Sequence, residues 1–341
     1  MVTSTGQGGD NGPAAGEVLR YTAFSTDPAG GNPAGVVLDA SGLDDAAMLA
    51  VAADVGYSET AFVTGRADAG GSAAASEAGP LPGAGAASGA GAASGAAAAS
   101  EAGAGAVSEG GAGAGRMLDV RYFSPKAEVT FCGHATVATA VALAERIGPG
   151  DLLFRTPAGE VPVHVAAGAD GVLRATLTSV EPSVEEARDA DVAEALAALG
   201  WAAGDLDPAL PPRIAYAGAR HLVLAAATRA RLADLHYDFD RLAALMTALD
   251  LTTVQLVWRE SATVYHVRDP FPVGGVVEDP ATGAAALAFG AYLRRLGPVP
   301  AVLTLHQGDD LGRPGVLTVE LRPGDPRVRV TGAATAIPAG V

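Results

Sequence analysis

Cys132-Gly133-His134-Ala135-Thr136-Val137-Ala138-Thr139-Ala140-Val141-Ala142-Leu143 is the stretch from which the fold can be read. A small polar turn opens an alanine-rich run that is apolar all round from Ala135 to Leu143, and a helix without a polar face has to be enclosed. The second half carries a stretch of the same design, Glu278-Asp279-Pro280-Ala281-Thr282-Gly283, which runs on through the apolar Ala284 to Ala291. Two related halves facing each other are therefore expected, and a site between matched halves suits proton-shift chemistry.

Around these two helices the pattern alternates between short strands and amphipathic helices. In the first half it predicts strands over Val18-Phe24, Ala34-Leu38, Thr60-Val63, Leu118-Phe123, Leu152-Thr156, Val161-Val165 and Leu173-Leu177, with helices over Leu43-Val55 and Ala135-Arg146. The second half repeats the order: helix Val192-Leu199, strands Arg213-Tyr216 and His221-Leu224, helix Phe239-Leu249, strands Thr253-Trp258 and Thr263-Arg268, helix Thr282-Leu296, strands Val302-His306 and Leu317-Leu321. Short turns join most strands, so mixed and antiparallel sheets are expected rather than a doubly wound parallel one.

A chain of 341 residues exceeds what one hydrophobic core usually organises, so two domains are expected. The net charge of −16, with no Lys/Arg-rich block, argues against a nucleic-acid or anionic-membrane surface and leaves small polar ligands as partners. A single cysteine, Cys132, excludes an intrachain disulfide and any CxxC site and fits a reducing compartment. Residues 1-16 read as a flexible leader, since they lack a basic start and an apolar core. No segment has the length and hydrophobicity of a membrane span, and a cytoplasmic protein is expected. Between Arg66 and Arg116 the chain is almost wholly Ala, Gly and Ser, too poor in large apolar groups to offset its entropy, and reads as a disordered insertion in a hairpin connection.

Several residues have types and settings that suit acid–base work. Glu59, in Ser58-Glu59-Thr60-Ala61-Phe62, stands beside apolar neighbours that would disfavour its ionised form and raise its pKa; a solvent-facing strand-end glutamate is the alternative. His134 begins a helix, where backbone N–H groups and the dipole favour a neutral ring, although a turn histidine bonded to backbone fits too. Asp279, before Pro280, is either a helix cap or a functional carboxylate. Gly133, Gly218 and the turn Thr282-Gly283-Ala284 could offer backbone donors to a substrate carboxylate, and Asn32, between Gly31 and Pro33, is a further contact candidate. The six histidines show no metal-ligand spacing, and neither a Walker loop nor a dinucleotide fingerprint is present. No metal and no cofactor are expected.

In this order the segments resemble the PhzF-like isomerase family of phenazine biosynthesis, related in fold to diaminopimelate epimerase and proline racemase. Gly31-Asn32-Pro33-Ala34-Gly35, Arg121-Tyr122-Phe123-Ser124-Pro125, Gly218-Ala219-Arg220-His221-Leu222-Val223 and Gln307-Gly308 with Gly312-Arg313-Pro314 strengthen the likeness, which runs from Leu19 to about Pro338 apart from the insertion. The resemblance implies an α+β fold of two similar domains, 17-155 and 156-325, each a curled mixed or antiparallel sheet around a central helix and related by a pseudo-two-fold. The insertion would occupy 66-116 of the first domain, and 326-341 would return as a strand to it. It further implies a homodimer that needs no cofactor, with Glu59 as catalytic glutamate, His134 as a functional histidine and Asp279 opposite it. The family commonly has serine where this chain has Ala284, which removes one substrate hydrogen bond. Open alternatives are a racemase or epimerase of the same fold and a non-catalytic binding protein. A two-thiol racemase is excluded by the lone Cys132, which reads as a small buried residue packed before the helix.

Overall fold

The computed structural model describes residues 16–67 and 116–338. Residues 1–15 of the expected leader and 68–115 of the expected insertion lie outside the described residues.

Alternating apolar positions fold the first half into a mixed sheet. The strand Val18–Ala23 pairs antiparallel with Asn32–Val37, which runs parallel to Thr60–Ala67. Thr60–Ala67 is antiparallel to Arg116–Phe123, and that strand is parallel to Gly150–Thr156. Gly159–Ala167 and Leu173–Thr178 follow, each antiparallel to its predecessor. The last strand of the chain, Val328–Ala336, pairs with both Leu173–Thr178 and Val18–Ala23 and so closes the ring.

The second half repeats the pairings in the same order. Arg213–Tyr216 is antiparallel to Arg220–Ala225, which is parallel to Thr253–Arg259, and that strand is antiparallel to Val264–Pro270. Val302–Gln307 is parallel to Val264–Pro270, Gly315–Leu321 is antiparallel to it in turn, and Val328–Ala336 follows. Ser183–Glu186, a strand that no alternation in the sequence announced, lies beside Arg213–Tyr216 as Val328–Ala336 lies beside Val18–Ala23.

Each half's sheet wraps one helix. Gly133–Ile147 packs against Val18–Ala23, Asn32–Val37, Leu173–Thr178 and Val328–Ala336, and every residue from His134 to Ala144 is buried. Its composition explains the fit: small side chains keep the helix thin enough for a closed sheet. Its two buried threonines satisfy their hydroxyls on the carbonyls one turn back, Thr136 to Cys132 and Thr139 to Ala135, both at 2.7 Å. Gly283–Leu296 is enclosed the same way by Arg213–Tyr216, Gly315–Leu321 and Val328–Ala336. Gly290 on this helix has no room for a methyl group, since a Cβ would lie 2.8 Å from Val319 and Val328.

Amphipathic helices cover the outer faces. Asp45–Val55 is capped by the Asp44 carboxylate on the Ala47 N–H at 2.8 Å, and buries Met48 and Ala52 against Phe62 and Phe123. Asp189–Leu199 and Phe239–Ala248 build a separate outer core with Leu222, Leu224, Val254 and Leu256.

Candidate active site

The sheet order brings residues far apart in sequence to the openings of the two central helices. Glu59 is the residue just before Thr60–Ala67, where its carbonyl accepts from the Gly35 N–H of the parallel neighbour at 3.1 Å. Its side chain reaches the first turn of Gly133–Ile147, and Oε2 lies 3.4 Å from Nε2 of His134. The Ser58 hydroxyl is 3.3 Å from the same nitrogen, and the Cys132 sulfur is 3.3 Å from Nδ1. His134 is 6% exposed and the Glu59 side chain 16%, so the glutamate is the more accessible of the two.

From the second half, Asp279 enters the cluster. It belongs to the two-residue strand Glu278–Asp279, antiparallel to Val264–Pro270. Its Oδ1 accepts from the Asn32 amide at 2.8 Å and its Oδ2 from the Thr282 hydroxyl at 2.5 Å. Asn32 also donates to the Ala281 carbonyl at 3.1 Å, so one buried amide ties the first half to the second. Gln307 completes the frame: its amide nitrogen donates to the Asp279 carbonyl at 2.9 Å, and its oxygen accepts from the Thr282 N–H at 2.9 Å.

The loop that presents Asn32 is held from across the molecule. Gly31 sits at φ 57, where a Cβ would lie 2.1 Å from the Ala23 carbonyl, so only glycine fits. Arg313 donates to the carbonyls of Gly31 and Gly30 at 2.9 and 2.7 Å. Arg313→Ala therefore lowers the unfolding free energy by about 1–2 kcal/mol in a denaturant titration. An unchanged midpoint would show that this stitch contributes nothing to holding the Asn32 loop.

Burial sets the proton affinities. Desolvation pushes the Glu59 carboxyl above the usual carboxylate range, opposed by hydrogen bonds from the Ser58 hydroxyl and the Cys132 thiol. Desolvation also raises Asp279, with neighbouring His134 and the Thr282 and Asn32 hydrogen bonds opposing. His134 is lowered by its burial, against the pull of Asp279, and stays neutral at pH 7. The Cys132 thiol is pushed well above its ordinary value by burial and by Glu59, so it is a proton-bearing thiol at neutral pH rather than a nucleophile.

These directions fix a pH dependence of stability. A carboxyl whose folded pKa is raised binds its proton more tightly in the native state, so its contribution is full below the unfolded pKa and is lost as pH rises toward the folded value. Thermal melts of Glu59→Gln should exceed wild type in Tm at about pH 8 and converge with it at about pH 3, below the ordinary glutamate pKa, where the wild-type carboxyl is protonated in both states. A gain of equal size at both ends would place the effect in packing rather than in the charge.

The cluster thus gathers Glu59, His134, Asp279, Asn32 and Thr282. Gly133 is the first residue of the first central helix and Gly283 and Ala284 the first two of the second, so their N–H groups have no intrahelical partner. Two expectations change. Asp279 does not cap the second central helix, whose N-cap is Thr282, and the acid instead accepts side-chain donors. By helix position the counterpart of Cys132 is Thr282 and that of His134 is Ala284, because each helix begins at a glycine that fixes the alignment. The Thr282 N–H, expected as a substrate donor, is taken by Gln307. Gly218, at φ 113 in the turn between Arg213–Tyr216 and Arg220–Ala225, has no hydrogen bond to the cluster among the described residues.

Ser58, Cys132 and Gln307 join the cluster without having been singled out for it. Each lay in a segment marked by the resemblance, and only strand register shows where their side chains meet. Glu59, Cys132 and His134 each offer a ligand-type atom within 4.8 Å of the others, and they are the described residues that could hold a metal ion. Linear spacing could not reveal that convergence.

A mixed sheet wrapped around apolar helices is the fold that this chain shares with solved PhzF-family proteins. The phenazine biosynthesis-like (PhzC-PhzF) family model matches residues 21–74 and 111–340, and the chain belongs to that family. The match leaves 75–110 out. An uncharacterized isomerase of Deinococcus radiodurans is 31% identical, covering 88% of this chain and 84% of the relative. The trans-2,3-dihydro-3-hydroxyanthranilate isomerase of Pseudomonas chlororaphis is 25% identical, covering 86% of each chain. Among solved structures, a PhzF-family phenazine biosynthesis protein of Bacillus anthracis superposes with a TM-score of 0.71 at 23% identity, covering 94% of this chain and 96% of that one. Family membership and isomerase relatives over most of the length make the chain an enzyme of the isomerase class.

Proposed function

We propose that this chain is a cofactor-independent isomerase that shifts a proton on a small carboxylated metabolite, with Glu59 as the general base and then the conjugate acid. One observation carries the reading: a raised glutamate from the first half, a neutral buried histidine on the first central helix and a buried aspartate from the second half meet in one cluster. Glu59 removes a proton from a carbon next to an electron-withdrawing group, the electron pair delocalises into that group, and the proton returns to a different carbon from Glu59 or through His134. The opening N–H groups at Gly283 and Ala284 suit a substrate carboxylate. Asp279, anchored by Asn32 and Thr282, orients the substrate from the opposite side.

The same reading takes the molecule as an α+β protein of two similar domains, 17-155 and 156-325, with the cleft between them as the site and residues 326-341 returning to the first. It also takes the enzyme as a cytoplasmic homodimer. No helix among the described residues is long and apolar enough to cross a membrane. Ala284 offers no hydroxyl, so a substrate that leans on serine there in related enzymes would bind this chain more weakly.

The test is incubation in D₂O with a panel of small carboxylates, including trans-2,3-dihydro-3-hydroxyanthranilate and α-amino acids, followed by NMR. Deuterium entering a new carbon with loss of the starting hydrogen supports a proton shift. Incorporation at the original carbon with inversion would instead identify a racemase. Compounds that bind without exchange or product would overturn the proton-shift reading.

A further inference from the structure

Behind Asp279 lies a second set of polar groups that the proton shift itself does not use. Asp269 stands directly across from Asp279 in the antiparallel pair, so the two side chains share a face with Cβ atoms about 5 Å apart. Asp269 is 0% exposed and Asp279 8%. Two opposed carboxylates in that setting cannot both carry charge without a cation between them. The guanidinium on the same strand, Arg268, is committed to Glu278 through two hydrogen bonds, on the alternate face of the pair.

The hydrogen-bond donors decide which acid keeps the charge. Asp279 accepts at both oxygens, and one of its donors is an amide that can only donate. Asp269 accepts at Oδ1 from the Thr253 hydroxyl at 2.7 Å, while its Oδ2 is buried with no partner among the described residues. A bare anionic oxygen inside a protein is far more costly than a protonated one. The Thr253 hydrogen is used on Asp269, so its oxygen accepts from Nδ1 of His221, 2.8 Å away, which leaves His221 Nε2 without its hydrogen. The Gln255 amide, two residues from Thr253 on the same strand face, is likewise buried and unpartnered.

We propose that Asp269 is a positioning residue, a protonated acid held by Thr253 and His221, whose neutrality keeps the negative charge on Asp279 where that residue faces His134. The titratable groups on the face of Asp269 are Asp279 on the opposed strand and His221 through Thr253, while Glu278, one residue along on the alternate face, acts on it through space and is paired with Arg268. Burial acts in the same sense: it pushes the Asp269 carboxyl well above the usual range and pulls His221 down to about 3, so His221 is neutral. The histidine of Gly218-Ala219-Arg220-His221 thus serves to hold Thr253 in place. The role of Asp269 in turnover rests on the proton-shift reading, whereas its protonation does not.

The decisive measurement is the infrared carbonyl stretch of protonated carboxyls in the whole protein at neutral pH, compared among wild type, Asp269→Asn and Asp279→Asn. One band should vanish in Asp269→Asn and persist in Asp279→Asn, and the reverse pattern would overturn the proposal. Should Asp269→Asn not fold, Thr253→Val serves instead: loss of the donated hydrogen bond shifts the Asp269 band, and a spectrum without any shift counts against the assignment. With a substrate from the D₂O panel, Asp269→Ala should lower kcat/KM about tenfold and Asp269→Asn should recover most of that loss, because an amide mimics a protonated acid. An asparagine no better than alanine would mean that a charge on Asp269 is needed and would sink the idea. If no panel compound turns over, the function reading fails while the infrared result still decides where the proton sits.

Discussion

Glu59→Gln lowers kcat by about 10²–10⁴-fold, the range that removal of a general base usually produces, while the protein folds and retains its ligand. The substitution keeps shape and one hydrogen-bond acceptor and removes only the ability to take a proton. Glu59 sits at the end of a strand with 16% of its side chain exposed, so the sheet does not depend on its charge. The partners stay in place: Nε2 of His134 at 3.4 Å, with the Ser58 hydroxyl 3.3 Å from the same nitrogen. Loss of deuterium exchange in D₂O alongside loss of product would locate the defect in proton abstraction. A variant that exchanges at wild-type rate would mean that another group takes the proton, and His134 would be the next to test. A defect in KM alone would make Glu59 a binding residue.

How much of this was legible in the chain depends on whether the signal is local. The two central helices could be read from composition, because an all-round apolar run of alanine, valine and threonine fits an enclosed position and few others. Closure of the first sheet by Val328–Ala336 could not be read from alternation, since that strand pairs with Val18–Ala23 and Leu173–Thr178, more than 150 residues away in sequence. Glu59 and His134 were visible as residue types beside turns, yet their approach depends on the parallel register of Asn32–Val37 with Thr60–Ala67. Asp279 misled in one respect. An aspartate before proline near a helix start has the pattern of a cap, but Thr282 takes that position and Asp279 is left for the cluster. Thr253 and Asp269 carry no local signal, and His221, though it lies in a segment marked by the resemblance, shows no role until three strands lie side by side.

The second large effect concerns the support of Asp279 rather than its chemistry. Arg268 and Glu278 form a bidentate pair on the face of the strand opposite Asp269 and Asp279, with side chains 9% and 1% exposed. Arg268 also donates to the Ala233 carbonyl at 2.7 Å, which links the pair to the outer helix Arg229–Ala233. Taking away one member leaves the other ionised and enclosed, so Arg268→Met should destabilise the fold by about 3–5 kcal/mol in a denaturant titration. The double variant Arg268→Met with Glu278→Leu should recover much of that loss, because the uncompensated charge is gone and two apolar groups of similar length remain. A single variant with little effect would show that Glu278 takes up a proton or finds another donor. The double variant also separates stability from function. If it folds well yet turns over poorly, the ion pair serves to hold the short strand Glu278–Asp279 in register, and with it the carboxylate that faces His134.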